Sequence, residues 1–214
     1  MTSRSDLCTL LAGTPVVPVL TVEAVEIALP LARALVAGGL SVLEITLRTP
    51  AALQVMEALA GEVEHAVVGA GTVLTPAQYE AAARAGARFV VSPGATPALL
   101  DAAAASPVPF LPGAATSSEV MALLERGYSC LKFFPAEPAG GIAYLKALAA
   151  PLPGARFCPT GGIDAKTAPR YLALPSVLCV GGSWVAPSDA LVAGDWPRIT
   201  ALAGAAAAMG GAAG

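Results

Sequence analysis

Short apolar runs alternate along this chain with longer stretches rich in alanine and leucine. The apolar runs are Val16 to Leu20, Ser41 to Leu47, Ala66 to Ala70, Arg88 to Ser92, Pro109 to Pro112, Cys130 to Phe133, Arg156 to Pro159 and Val177 to Val180. Each has the length of a strand, and most are apolar nearly throughout, which predicts strands covered on both faces. The intervening stretches, such as Val22 to Ala37, Pro76 to Ala85 and Ser117 to Arg126, consist mainly of good helix formers. Strict alternation of strand and helix predicts a parallel sheet. Eight units of roughly 20 to 27 residues account for the 214 residues, as a closed barrel requires. The reading is an α/β fold: a (β/α)8 TIM barrel, one domain over 1–214, with a short N-terminal helix. A doubly wound open sheet is the structural alternative, but no GxGxxG follows the first strand.

Composition narrows the partners. The chain is 56% hydrophobic and only 13% charged, enough apolar material for one large core. Its mean hydropathy of +0.69 raises the question of a membrane, yet no uninterrupted apolar span reaches the roughly 18 residues that a crossing needs. Arg33 and Glu44 interrupt the stretch from Ala28 to Leu47, and Ala201 to Gly214 is weakly apolar, like a fraying helix end. Gly13 and Pro15 break the apolar run that follows Arg4 and Asp6, unlike a secretory signal. The expectation is a cytoplasmic protein. The four cysteines, Cys8, Cys130, Cys158 and Cys179, form no CxxC pair, so reduced, buried thiols are expected. A net charge of −3 without a basic run argues against nucleic acid and leaves a small molecule as the partner.

In such barrels chemistry sits where strands end, so polar side chains at strand C-termini are the candidates. In LEITLRTP the alternation of faces makes Glu44, Thr46 and Arg48 point the same way. Later strands end with Thr72 in GAGT, Lys132 and Phe134 in KFFP, Thr160 in PTGG and Ser183 in GGS. Of the three lysines, Lys146 and Lys166 fall in predicted surface helices, and Lys132 alone sits in an apolar strand. A strand lysine needs either a carboxylate partner or neutralisation. It could be half of a structural ion pair with Glu44, or a nucleophile. An unperturbed pKa of about 10.4 leaves about one amine in two thousand neutral at pH 7, and a desolvated mouth that also holds Arg48 would lower it.

Glu44 fits either a structural partner or a general acid/base, and Arg48 either a surface salt bridge or a fork for a carboxylate. The pairs Gly161–Gly162 and Gly181–Gly182 follow the last two strands, where barrels bind phosphate through backbone N–H groups; tight turns are the alternative, but the paired occurrence together with Ser183 favours phosphate and implies a phosphorylated substrate. His65 precedes the third strand as a surface residue, no cluster has zinc spacing, and Trp184 and Trp196 are expected to pack. No metal and no cofactor is expected.

LEITLRTP, GAGTVLT, SPGATP, KFFPAE, RFCPTGGI and SVLCVGGSW, in this order and spacing, resemble the 2-keto-3-deoxy-6-phosphogluconate (KDPG) and 4-hydroxy-2-oxoglutarate (KHG) aldolases. The resemblance spans Pro15 to Arg198; SPGATP departs from the family's usual form in its middle, and the Ala-rich tail is longer in small residues. It implies a class I aldolase, usually trimeric, that releases pyruvate and glyceraldehyde 3-phosphate from a phosphorylated keto acid. By position it implies Lys132 as the Schiff-base residue and Glu44 as the proton acceptor and donor. Arg48 and Thr72 would hold the pyruvate carboxylate, Phe134 would line the pyruvate pocket and Pro93 of SPGATP would touch substrate. Thr160 would meet the hydroxyls, with Gly161, Gly162, Gly182 and Ser183 around the phosphate. The epimeric galactonate substrate, a barrel isomerase or epimerase, and a non-catalytic phosphometabolite binder are the competing readings.

Overall fold

The apolar runs fold as parallel strands in a computed structural model that describes residues 4–210, with side chains from Leu7 onward. The strands are β1 (Val16–Leu20), β2 (Val42–Thr46), β3 (Val67–Gly71), β4 (Phe89–Val91), β5 (Phe110–Leu111), β6 (Gly113–Ala114), β7 (Cys130–Phe133), β8 (Arg156–Pro159) and β9 (Val180–Gly182). Helix α1 (Arg4–Ala12) precedes them. The others are α2 (Val25–Ala37), α3 (Ala52–Glu62), α4 (Pro76–Arg84), α5 (Pro97–Ala105), α6 (Ser117–Glu125), α7 (Gly141–Ala149), α8 (Ala168–Leu172), α9 (Ser188–Ala193) and α10 (Trp196–Ala207). Residues 211–214 of the Ala-rich end lie outside the described residues.

Two hydrogen-bonded sheets make up the wall, in the orders β5-β4-β3-β2-β1-β9 and β6-β7-β8. Parallel bridges between Phe157 and Val177 and between Thr160 and Gly181 join β8 to the β9 segment. The ring is the (β/α)8 barrel that the alternation predicts, with two local differences. The fifth strand is broken into β5 and β6 at Pro112, whose ring nitrogen has no hydrogen to give a ladder, while its carbonyl accepts from Lys132 N at 2.9 Å. The eighth strand begins at Val180 rather than Val177, which is left as a single bridge.

Alternation along the strands sorts side chains between two cores. Leu43, Ile45, Val90, Leu131, Phe133 and Phe157 pack outward under the helices. Val17, Val42, Phe89, Val91, Leu111, Cys130, Cys158 and Cys179 point inward as a separate apolar layer, onto which α1 packs Leu7 and Leu11. That layer plugs one end of the barrel and leaves the opposite end for polar groups. At that end, Thr75, Thr96 and Thr116 accept from the backbone N–H of Gln78, Leu99 and Glu119, starting α4, α5 and α6 with N-caps.

The expectation of four reduced thiols is corrected. Cys8 and Cys130 are disulfide-bonded, with Cα atoms 5.9 Å apart, inside the range a bridge allows. The two lie 122 residues apart in sequence, and only the docking of α1 under the barrel brings them together. Cys158 and Cys179 are free and buried, as expected. Digestion of the air-oxidised protein without reductant should release a Cys8–Cys130 cross-linked peptide that dithiothreitol separates. Alkylation of Cys130 in the folded, unreduced protein would contradict the pairing.

Candidate active site

Glu44 and Lys132 stand one step above the apolar layer, each two residues beyond an inward-facing neighbour, Val42 and Cys130. Strands β2 and β7 lie on opposite walls of the ring, so the two side chains reach toward each other across the interior. Lys132 Nζ donates to Glu44 Oε1 at 3.0 Å, and the residues are 5% and 3% exposed. These two are the ionised pair of the interior: desolvation makes each charge costly alone, and the contact compensates. Room for the carboxylate comes from Gly71 on β3, where a Cβ would overlap Glu44 Oε1.

The surroundings of the pair come from neighbouring strand ends. The Phe134 ring centroid lies 5.5 Å from Lys132 Nζ, close enough for a cation–π contact. Arg48, exposed past the end of β2, donates from Nε to Thr72 Oγ1 at 3.2 Å. Thr72 adopts a left-handed backbone with φ 58°, uncommon for a residue with a branched Cβ, and its hydroxyl meets the guanidinium there. Thr46 is excluded from ligand contact: its hydroxyl bonds the Leu20 carbonyl at 3.1 Å and the Thr21 hydroxyl at 2.9 Å, latching β1 to β2.

Beneath the lysine, Cys158 is its register partner on β8. A hydrogen bond with Cys179, opposed by burial and aided by the charge of Lys132, draws the Cys158 thiol below the ordinary value. The same contact and burial push Cys179 well above it. The sequence pointed to reduced, buried thiols here, and nothing in it marked their place beside the lysine.

The glycine-rich segments are adjacent. The bridge from Thr160 to Gly181 sets Gly161–Gly162 beside Gly182–Ser183, and a Cβ at Gly181 would overlap the buried Thr160 side chain. Gly161 and Gly162 have φ values of 105° and 79°, conformations that an L side chain strains to adopt. Ser183 lines a cavity of about 140 Å³ with Thr21 and Ser188. Pro93 packs its main chain against Gly113, the register partner of Lys132, and so supports the strand beside the lysine. Lys146 is exposed on α7, whereas Lys166 is in a turn before α8 rather than in a helix. His65 is exposed, and Trp184 and Trp196 pack against the core. Among the described residues no group of three or more His, Cys, Asp or Glu could hold a metal ion.

A barrel with a buried lysine–carboxylate pair at its open end has the groups that the class I aldolases use. The comparisons with known proteins give the family. The model of the KDPG and KHG aldolases matches residues 8–202, and the chain belongs to this family. It is 54% identical to the KHG/KDPG aldolase of Escherichia coli K12 over 189 residues, 88% of this chain and 89% of that protein. Among solved structures it superposes on the KDPG aldolase of Legionella pneumophila with a TM-score of 0.92 at 48% identity, covering 96% of this chain and 98% of that one. That enzyme was captured at low pH with pyruvate as a covalent carbinolamine intermediate. The Zymomonas mobilis ZM4 enzyme, solved with 3-phosphoglycerate, gives 0.92 at 48% identity and 97% coverage of both chains.

Removing one partner from the buried pair should cost more than removing both. Lys132→Met is expected to lower the unfolding free energy by about 3–5 kcal/mol, with much of the loss restored in the Lys132→Met, Glu44→Leu double variant. Urea unfolding of the two proteins checks this.

Proposed function

We propose that this aldolase cleaves 2-dehydro-3-deoxy-6-phosphogluconate to pyruvate and glyceraldehyde 3-phosphate through an imine on Lys132, and also acts on 4-hydroxy-2-oxoglutarate. The observation that carries the reading is the 3.0 Å contact between Lys132 Nζ and Glu44 Oε1 in the water-excluding barrel interior. A lysine attacks a carbonyl only as the free amine, and Glu44 is within reach to take its proton as the substrate enters.

The proton ledger then closes on one carboxyl group. Lys132 Nζ adds to the keto carbon to give a carbinolamine, and Glu44 returns the proton to its hydroxyl, which leaves as water to give the protonated imine, an electron sink next to the bond to be broken, and the free carboxylate. Glu44 takes the proton of the substrate's C4 hydroxyl, the C3–C4 bond breaks and glyceraldehyde 3-phosphate leaves. The remaining enamine is protonated at C3 and water hydrolyses the imine, returning pyruvate and the free lysine. Arg48 and Thr72, joined at 3.2 Å, are assigned to the substrate carboxylate. Phe134 and Pro93 are assigned to the pyruvate pocket, Thr160 to the hydroxyls, and Gly161, Gly162, Gly182 and Ser183 to the phosphate. No step calls for a cofactor.

The assembly and compartment in this proposal are a homotrimer in the cytoplasm. Exposed Leu74 and Met121 offer apolar surface for association, and among the described residues no helix is long and apolar enough to cross a membrane. Sedimentation of the purified protein reads the mass directly.

Incubation with pyruvate and borohydride should add one reduced pyruvyl group to Lys132, seen by peptide mass, and none in Lys132→Ala. An adduct elsewhere, or none in the wild type, overturns the assignment. Arg48→Ala should raise KM for keto acids by about tenfold or more while the borohydride adduct still forms at high pyruvate.

A further inference from the structure

The Gly161–Gly162 turn poses a structural question. Two successive glycines carry no side chains with which to hold themselves, and their backbone is the most mobile a chain can have. A receiver for phosphate needs amides fixed in place before the ligand arrives. Something outside the turn has to fix it.

The answer lies in the segment that follows β7. Ala136 N donates to the Thr160 carbonyl at 2.8 Å, and Glu137 N donates to the Gly161 carbonyl at 3.0 Å. A Cβ placed on Gly161 would lie 3.3 Å from the Phe134 ring and from Pro135 Cα. One placed on Gly162 would lie 2.7 Å from Glu137 Cβ and 3.0 Å from its Cγ. The aliphatic stem of Glu137 is therefore the floor on which Gly162 rests. Glu137 is itself exposed, so its stem needs an anchor. Tyr171 provides one: its hydroxyl donates to Glu137 Oε1 at 2.5 Å, and its residue is fully buried in α8, the helix that the chain enters after the turn.

We propose that Glu137 and Tyr171 are a positioning pair that holds the Gly161–Gly162 turn ready for the substrate phosphate. The inference rests on the reading above that this turn receives the phosphate. The pair also removes a liability, since a free carboxylate beside the turn would repel a phosphate. Bound to the Tyr171 hydroxyl, the carboxylate is drawn toward α8, and the atoms nearest Gly162 are those of the stem. Gly141 at the start of α7 lies against this contact: a Cβ there would be in ordinary van der Waals contact, at 3.5 Å, with both Glu137 Oε1 and the Tyr171 hydroxyl. Burial, followed by the hydrogen bond to Glu137 and its charge, raises the Tyr171 pKa far above the ordinary phenol value. The hydroxyl thus stays a donor throughout the working pH range. Neither residue touches the reacting carbons.

The test compares a phosphorylated with an unphosphorylated substrate, 2-dehydro-3-deoxy-6-phosphogluconate and 4-hydroxy-2-oxoglutarate, in the full-length enzyme. In Tyr171→Phe, which keeps the buried ring, KM for the phosphorylated substrate should rise by about five- to tenfold, the net worth of one ordinary hydrogen bond, with kcat moving less than twofold. The ratio of kcat/KM between the two substrates should fall by the same factor. Glu137→Gln, which keeps an acceptor and the stem, should lose less than Glu137→Ala. A parallel fall on both substrates, or an unchanged ratio in Tyr171→Phe and Glu137→Ala, overturns the proposal. The wild type separates this failure from that of the underlying reading. If it does not prefer the phosphorylated substrate and inorganic phosphate does not compete, the phosphate role of the turn falls and the pair's role falls with it.

Discussion

The ion pair between Lys132 and Glu44 is the constraint around which the barrel is arranged. Two opposite charges at 3.0 Å in a water-poor interior are costly to separate, and each would be costly to bury alone. The protein therefore has to bring β2 and β7 to opposing walls at matching heights. It also needs a glycine, Gly71, where any side chain would displace the carboxylate. The same contact that satisfies the two charges in the resting protein holds a carboxylate next to the amine, where the proposed function needs its proton acceptor.

The layer below and the loops above give that pair its surroundings. Below, inward-facing apolar residues and the docked α1 close the barrel, so the lysine is approached from one side only. The Cys8–Cys130 bridge ties this plug to the strand that carries Lys132. Above, Arg48 and Thr72 stand beside the pair, and in the proposed function they hold one end of the substrate while the two glycine-rich segments receive the other. The substrate's charged ends are assigned to exposed, hydrogen-bonding backbone and side chains, and its reacting carbons to the buried pair.

Much of this was legible in the sequence because it depends on period-two alternation and on composition. One lysine within an apolar strand, and Glu44 and Arg48 on the same face of another, needed no coordinates. The break at Pro112 was harder to see, because a proline inside a short apolar run leaves the strand pattern intact while removing one ladder bond. The Cys8–Cys130 bridge and the Tyr171–Glu137 contact, 122 and 34 residues apart in sequence, depend on how elements dock and have no local signature. The same is true of Thr72: its left-handed backbone follows from its place in the loop, not from its residue type. The family motifs carried Glu137 within KFFPAE without marking what it holds.

In the proposed mechanism one lysine and one carboxylate divide the chemistry, the first making the imine and the second moving the proton. Exchange of the methyl protons of pyruvate with deuterium from solvent, followed by NMR, tests both halves at once, because it requires the enamine and a proton carrier. Exchange is expected in the wild type, none above background in Lys132→Ala, and a rate lowered by about 10²- to 10⁴-fold in Glu44→Gln, which should still form the imine. Exchange at the full rate in Glu44→Gln, or any enzyme-dependent exchange in Lys132→Ala, would contradict the mechanism.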